Sequence, residues 1–432
     1  MSKPQPATEA AGSAPTRRSP PRPSLWLRGA VRAGRAASTF SRHLGLGAGA
    51  MIGGRVTLAL APSALVGLSA GRQVVLVSGT NGKTTTAHLL ATALRTEGPV
   101  AHNATGANMT DGAVAALMAD PDAPVAVLEV DELHLAAVAD AVGPAAVVVL
   151  NLTRDQLDRS SEVRSVATAV GSALAAHPDT VVVANADDPM VVWAVGAAKQ
   201  VVWVATGSRW TDDASACPRC GRTVHRSHDG TGWRCGCGLT RPSPHWTAGN
   251  ASAETDGRVI PVPLQLPGAF NVGNAVTAIA AATALGLDPC KAAATMSTTS
   301  QVAGRYAVMN HRGRQARMLL AKNPAGWAET LHLLGDHPLL LAVNAREADG
   351  RDTSWLWDVP FENLRSRHVV ASGERAADLG VRLTYAGIDH TTVTDPIAAL
   401  EILPLGPVDV AANYTAFHRI RQRLDAGPGR GR

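Results

Sequence analysis

Val74-Val75-Leu76-Val77-Ser78-Gly79-Thr80-Asn81-Gly82-Lys83-Thr84-Thr85-Thr86 is the stretch on which the reading of this chain turns. A short apolar run breaks at glycines and a lysine, and the chain then continues as a helix-like segment from Ala87 to Leu94. Strand, turn and helix in that order point the backbone N–H groups around Gly79, Thr80, Asn81 and Gly82 at one place. Lys83 adds a point charge there, the Thr84 hydroxyl can ligate Mg²⁺, and Thr85 follows in the first turn. A glycine turn after a strand can be purely structural, but a lysine and three threonines at the junction argue for a nucleotide triphosphate such as ATP. The usual phosphate loop has a first glycine where Val77 stands, so the match is to the shorter form Gly-Thr-Asn-Gly-Lys-Thr.

Outward from this loop the pattern repeats. Pro124 to Val130 is a strand that ends in carboxylates, which a parallel sheet would place at its C-terminal edge beside the ligand. Glu129 is the first candidate for Mg²⁺, whereas Asp131 and Glu132 fit a solvated acidic turn as well. Ala145 to Leu150 runs into Asn151-Leu152-Thr153-Arg154-Asp155, and Thr180 to Ala184 runs into Asn185-Ala186-Asp187-Asp188-Pro189. Val74 to Ala205 therefore reads as an α/β domain with a parallel sheet. Further on, Asn271 and Asn274 stand one turn apart near a helix start, able to hydrogen-bond a base or simply to cap the helix.

Two cysteine pairs interrupt this pattern: Cys217 with Cys220, and Cys235 with Cys237, each pair followed by glycine. Such knuckles suit a ribbon around one tetrahedral Zn²⁺, and four thiolates would close the metal sphere, leaving it structural. Paired disulfides are the competing reading, disfavoured by the poor geometry of Cys-x-Cys for separate bridges. Cys290, on an alanine-rich helix, is expected in the core.

With 432 residues, 46% of them hydrophobic, the chain has room for two or three cores. A net charge of +5 with arginine concentrated toward the ends favours an anionic surface over a nucleic-acid groove, and no aromatic-interleaved basic patch is present. No apolar run approaches the roughly 20 residues of a membrane span. The leader from Met1 to Ser24 reads as disordered, and prolines follow Arg17-Arg18 where an export signal would be apolar, so a cytoplasmic location is expected. Ser24 to Phe40 reads as a basic helix for the protein surface or for lipid headgroups. Gly45 to Gly54 reads as a connector and Val56 to Leu60 as a strand.

The last domain contributes Met318 to Ala321, ending in Lys322-Asn323-Pro324, and Leu339 to Val343, followed by Asp349-Gly350-Arg351-Asp352-Thr353-Ser354-Trp355-Leu356-Trp357-Asp358. Shorter strands are expected near His368 to Ala371 and Leu383 to Tyr385. At strand periodicity Trp355 and Trp357 would face one side, as an interface anchor or as core. The resulting division is a leader (1–24), a basic helix and connector (25–55), a central ATP domain (56–303) with an insertion at about 207–248, a smaller C-terminal α/β domain (304–426) and a basic tail (427–432).

Gly79-Thr80-Asn81-Gly82-Lys83-Thr84, Asn185-x-Asp187-Asp188 and Gly268-x-x-Asn271-x-x-Asn274 resemble the central domain of the Mur ligases. The cysteine insertion, Asp155-Gln156-Leu157-Asp158-Arg159, Lys322-Asn323-Pro324 and Asp349 to Asp358 look like the MurT-type synthetase subunits of lipid II isoglutaminyl synthase. The resemblance implies ATP bound by the loop, by Asn185, Asp187, Asp188, Asn271 and Asn274, and by Arg305. It implies Mg²⁺ on Thr84 and Glu129, zinc on the four cysteines, and Lys83 and Glu129 in catalysis. It also implies a glutaminase partner of the GatD type, whose histidine Asp349, or failing that Asp352, would orient, and lipid II or its peptide precursor as substrate. Ordinary Mur ligases have a histidine where Gln156 stands and a carbamylated lysine soon after, whereas Arg159 to Ala198 holds no lysine. No substrate-binding domain of Mur-ligase size precedes the phosphate loop, so ammonia is expected in place of a free amino acid. A conventional amino-acid ligase and a non-catalytic nucleotide-binding scaffold are the alternatives.

Overall fold

The computed structural model describes residues 24–43, 50–104, 106–155, 162–207, 210, 212–228, 230–299, 306–364 and 367–426. Arg305 and the Gln156-Leu157-Asp158-Arg159 stretch lie outside the described residues. The strands in chain order are β1 (Gln73–Ser78), β2 (Val100–His102), β3 (Val125–Glu129), β4 (Ala146–Val149), β5 (Val181–Asn185) and β6 (Gln200–Ala205). They are followed by β7 (His225–Arg226), β8 (Trp233–Arg234), β9 (Trp246–Ala248), β10 (Ser252–Thr255) and β11 (Arg258–Pro261). The C-terminal part supplies β12 (Tyr306–His311), β13 (Arg314–Leu320), β14 (Leu339–Ala342), β15 (Val369–Ser372), β16 (His390–Thr392) and β17 (Gly406–Ala412).

The first sheet has the order β11-β10-β9-β6-β5-β4-β1-β3-β2. β1 sits between β3 and β4, and the six strands β1 to β6 are mutually parallel. Val74 to Val77 are fully buried, as a central parallel strand covered on both faces must be. One face packs α1 (Leu25–His43) and neighbouring helices, and the other packs the helices Lys83–Leu94 and Ala269–Ala284. β9, β10 and β11 extend the edge beyond β6 with two antiparallel pairings that the sequence pattern does not announce.

The second sheet runs β12-β13-β17-β14-β15-β16, parallel throughout except for the antiparallel β12 at one edge. Trp327, Phe361 and Phe417 are fully buried in the cores on its two faces.

Several local expectations are corrected. Val56 to Leu60 is not a strand: it ends the helix α2 (Ala50–Leu60), which packs on α1. The glycines explain the choice, since a methyl built at Gly53 would lie 2.0 Å from Ser38 Oγ and one at Gly54 would lie 1.9 Å from the Asp111 carbonyl oxygen. Small residues let the helices approach, and alternating Val56, Leu58 and Leu60 imitate a strand only by accident of spacing. Leu383 to Tyr385 is the end of the helix Ala376–Tyr385. Trp355 and Trp357 lie on a single 3-10 turn, Ser354–Asp358, so they diverge: Trp355 is buried against Trp327, and Trp357 is exposed beside Tyr385. Cys290 is exposed at a helix start, not in the core.

Candidate functional site

The phosphate loop is held open by Asn151, at the end of β4. The Asn151 carbonyl accepts from Thr80 N at 2.8 Å, its side-chain oxygen accepts from Asn81 N at 2.8 Å, and its side-chain NH₂ donates to the Asn81 carbonyl at 2.9 Å. Gly79 and Gly82 take φ of +130° and +84°, conformations that side chains resist. At Gly82 a methyl would lie 2.5 Å from Asn274 Oδ1, which places Asn274 directly on the loop. Asn271 N–H₂ donates to the Pro267 carbonyl, and Gly268 occupies the helix N-cap, so neither asparagine is the cap.

Lys83 is buried and its ammonium lies 3.1 Å from Glu132 and 3.4 Å from the Thr80 carbonyl oxygen. Burial opposes its charge, but Glu132, Glu129, Asp155 and Asp131 outweigh burial and raise its pKa, so Lys83 is a cation held ready inside the protein. Glu132 is therefore the residue that sequence reasoning undervalued. Its signal was its place after β3, the immediate neighbour of β1. Asp131 accepts from Leu133 N at 3.1 Å and stands as a turn cap.

Glu129 is 2% exposed, its backbone is clamped by Asn103, and its Oε2 makes no hydrogen bond. A methyl built at Gly106 would lie 3.7 Å from Thr84 Oγ1 and 4.0 Å from Glu129 Oε2, so the two oxygens flank one space that only glycine leaves open. A hard divalent cation fits such an oxygen pair, and a buried carboxylate oxygen without a partner is costly unless something binds it.

The loop faces a cleft. Asn81, Gly82, Thr84 and Thr85 form one side, with Asn185, Asn271 and Asn274 beside them, and Tyr306, Lys322 and Gly326 face them from the C-terminal part. Asn323 caps the helix Pro324–Leu333 by accepting from Gly326 N at 3.0 Å, and Pro324 fills the first helical position. Ion pairs hold the two parts together: Asp155 with Lys322, and Arg154 with Asp358 at 3.0 Å. Arg154 also binds Asp213, at the base of the cysteine insertion.

Asn185, Asp187 and Asp188 divide their work. Asn185 lines the cleft and accepts from Asp187 N at 2.9 Å. Asp187 pairs with Arg241 at 2.8 Å and accepts from Gly207 N at 2.9 Å. Asp188 accepts from the backbone N–H of Leu152, Met190 and Val191, and burial pushes its carboxyl up to about 6 despite those bonds. Asp187 and Asp188 thus brace the loop, and Asn185 meets the space.

Cys217, Cys220, Cys235 and Cys237 converge, with their sulfurs all within 4.8 Å of one another. Sγ separations of 3.6 Å (Cys217 to Cys237) and 3.5 Å (Cys220 to Cys235) exclude disulfides and approach the edge of about 3.8 Å that a tetrahedral Zn–S₄ centre has. A metal ion fits this donor set. The insertion docks beside Asp187: the Trp233 indole donates to the Ala186 carbonyl at 3.0 Å, and Arg241 reaches Asp187.

The two aspartates of the last domain have different surroundings. Asp349 is 4% exposed, and its oxygens accept from Thr415 N at 2.8 Å, the Thr415 hydroxyl and Arg346 N at 3.2 Å. Asp352 is exposed and accepts from Ser354 N at 2.8 Å.

The Mur ligase middle domain matches residues 77–282, and the MurT ligase C-terminal domain matches residues 320–417. The MurT subunit of lipid II isoglutaminyl synthase (glutamine-hydrolyzing) from Streptococcus pneumoniae is 28% identical, with 88% of this chain and 93% of that protein covered. The Staphylococcus aureus MurT subunit is 29% identical over 74% of this chain and 79% of its own length. Among solved structures, a pseudomurein peptide ligase type C from Methanothermus fervidus gives a TM-score of 0.68 at 20% identity, covering 82% of this chain and 79% of that one. MurF ligase from Thermotoga maritima, in complex with ADP, gives 0.60 at 16% identity, covering 87% of this chain and 84% of that one. These structures share the fold alone, whereas the sequence likeness spans most of the chain. A Mur ligase middle domain joined to a MurT-type C-terminal domain makes this chain similar to the MurT subunits over most of its length and marks it as an ATP-dependent ligase.

Proposed function

We propose that this chain is the synthetase half of a glutamine-hydrolysing amidotransferase. It converts the α-carboxylate of D-isoglutamate in the lipid II stem peptide, or in a precursor of it, to D-isoglutamine at the cytoplasmic face of the membrane. The observation that carries this reading is the likeness to MurT subunits over 88% of the chain. The buried charges at the phosphate loop supply chemistry that suits it.

A carboxylate does not react with ammonia at neutral pH because its leaving group would be oxide or hydroxide. ATP supplies a better one. A carboxylate oxygen attacks the γ-phosphorus, the bond to ADP breaks, and an acyl phosphate forms. Ammonia nitrogen then attacks the carbonyl carbon, the bond to phosphate breaks, and the nitrogen loses a proton to leave the amide. Lys83, already a buried cation, and the loop N–H groups neutralise charge on the phosphoryl group as it moves. Thr84 and Glu129 would hold Mg²⁺, which adds charge neutralisation when bound. Asn185, Asn271, Asn274 and Arg305 serve the nucleotide. Cys217, Cys220, Cys235 and Cys237 would hold a zinc ion that stabilises the insertion and takes no part in the reaction.

Free ammonia is mostly protonated near pH 7, so a glutaminase of the GatD type would deliver it locally. Among the described residues Cys290 accepts from the Arg258 guanidinium and has no histidine hydrogen-bond partner, which suits a nucleophile supplied by the partner. Asp352, at the surface, suits the carboxylate that would orient the partner's histidine, whereas Asp349 is committed to Thr415 and Arg346. Reconstitution tests the reading: ammonium salts should support ATP-dependent amidation by the chain alone, and glutamine should do so only with the glutaminase present. Incorporation of an added amino acid, or ATP binding without turnover in either mixture, would overturn it.

A further inference from the structure

The cleft makes no use of α1 and α2, the arginine-rich end of the described chain. Thr57 bonds Ala30 and the Trp26 indole donates to the Leu60 carbonyl at 3.0 Å, so the two helices run antiparallel as a hairpin. α1 buries Leu27, Ala30, Gly34 and Ser41 against the protein. On a helix of 3.6 residues per turn, Arg28, Arg32, Arg35 and Arg42 then form one row on the outer side, and Leu25, Ala36 and Phe40 form the next. Leu25, Trp26 and Phe40 are 79%, 71% and 67% exposed, and α2 adds the exposed Met51, Ile52 and Leu60.

The charges are equally one-sided. No Asp or Glu occurs between Glu9 and Glu97. Arg35 reaches the Met118 carbonyl and Arg55 pairs with Asp111, leaving Arg28, Arg32 and Arg42 facing outward along one edge of the apolar row. Because the indole N–H of Trp26 is already bonded, its ring can leave water without stranding a donor.

We propose that the α1–α2 hairpin is a docking surface for an anionic lipid bilayer, lying flat with Leu25, Trp26 and Phe40 in the headgroup boundary and the arginines beside lipid phosphates. Apolar residues flanked by arginine, with no acid among them, are what an interfacial helix needs. A second copy of this surface would bring arginine against arginine. The chain's own first residues carry Lys3, Arg17, Arg18 and Arg22 and offer only Glu9 in return, so anionic lipid is the occupant with complementary charge. The purpose of this surface rests on the lipid II reading, since it would bring the cleft to a membrane-anchored substrate; the binding itself does not.

The test is flotation of the full chain with vesicles of phosphatidylcholine alone or mixed with phosphatidylglycerol, beside amidation of a soluble stem-peptide precursor. Binding should require phosphatidylglycerol and fade with salt. Arg28→Gln, Arg32→Gln and Arg42→Gln should each weaken it roughly fivefold, and Trp26→Ser with Phe40→Ser on the order of tenfold, with thermal unfolding and soluble-substrate amidation unchanged. Equal flotation with both vesicles, variants that float like the parent, or a hairpin-dependent dimer in place of vesicle binding would overturn the proposal. A chain that amidates the soluble precursor but ignores vesicles refutes the docking surface alone. One that docks as described but amidates nothing refutes the amidation reading alone.

Discussion

The phosphate loop and the acidic loop of the C-terminal domain both present carboxylates just past the end of a parallel strand, yet they are built in opposite ways. At the phosphate loop, Glu129 keeps a buried oxygen without a partner and Lys83 is a buried cation among four carboxylates. At the acidic loop, Asp349 has both oxygens occupied by its own fold, and Asp352 stands in solvent. Buried polar groups are ordinarily satisfied, so the unsatisfied Glu129 oxygen suits a bound ligand, while the satisfied Asp349 suits a surface held in shape. An orphaned atom is not a site by itself: His102 Nε2 is also buried without a partner, but its ring packs against His88.

The largest effect should follow from Lys83→Ala, which removes the prepared cation and leaves the part-buried Glu132 without its ion-pair partner. ATP turnover per folded molecule should fall by about a thousandfold, measured as ADP release, with a lowered Tm from the stranded carboxylate. Unchanged turnover would erase the contrast between the two loops.

The acidic loop should split into two phenotypes. Asp352→Asn should cut glutamine hydrolysis by the assembled complex at least about a hundredfold with Tm unchanged. Asp349→Asn should instead lower stability by about 1–3 kcal/mol through the weakened bonds to Thr415 and Arg346. The reverse pattern in paired hydrolysis and unfolding measurements would show that the buried aspartate turns outward in the complex.

Cys220→Ser sharpens the comparison from the side. It should abolish stoichiometric zinc, loosen the insertion and raise the KM for ATP several-fold, because Trp233 and Arg241 brace the loop carrying Asn185. Metal analysis with ATP kinetics checks this, and zinc-free parent protein would refute it.

The smallest effect concerns His102. Burial, with help from the nearby charges of His88 and Arg95, lowers its pKa from 6.5 to about 4, against the bond to the Val127 carbonyl. The folded protein thus resists a proton that the unfolded chain accepts, so the stabilisation from this group is present above pH 6.5 and is lost as the pH falls toward 4. In His102→Gln the acid-side fall in Tm should be shallower, while ATP turnover is retained.

How much of this was legible in the sequence depends on how local each signal is. Gly79 to Thr85 was readable because one turn contains the whole loop, and β1, β3, β4 and β5 because buried parallel strands are runs of Val, Leu and Ala. The thiol cluster was readable from spacing alone. α2 was misread since its glycines report contacts with Ser38 and Asp111, which are remote in sequence. The tryptophan pair was misread because a 3-10 turn separates residues that a strand would align. Glu132 and Asn151 needed the neighbouring strands in place, and the domain contacts of Arg154 with Asp358 and Asp155 with Lys322 needed the whole fold.

The central claim is that the cleft activates a carboxylate for ammonia, and oxygen-isotope transfer tests it most directly. The chain alone is given ATP, an ammonium salt and a lipid II analogue whose isoglutamate carboxylate carries oxygen-18, and the released phosphate is analysed by mass spectrometry. The account predicts one labelled oxygen in each phosphate formed and a matching amount of amide. Unlabelled phosphate, with or without amide, would contradict an acyl phosphate and the part played by Lys83 in forming it.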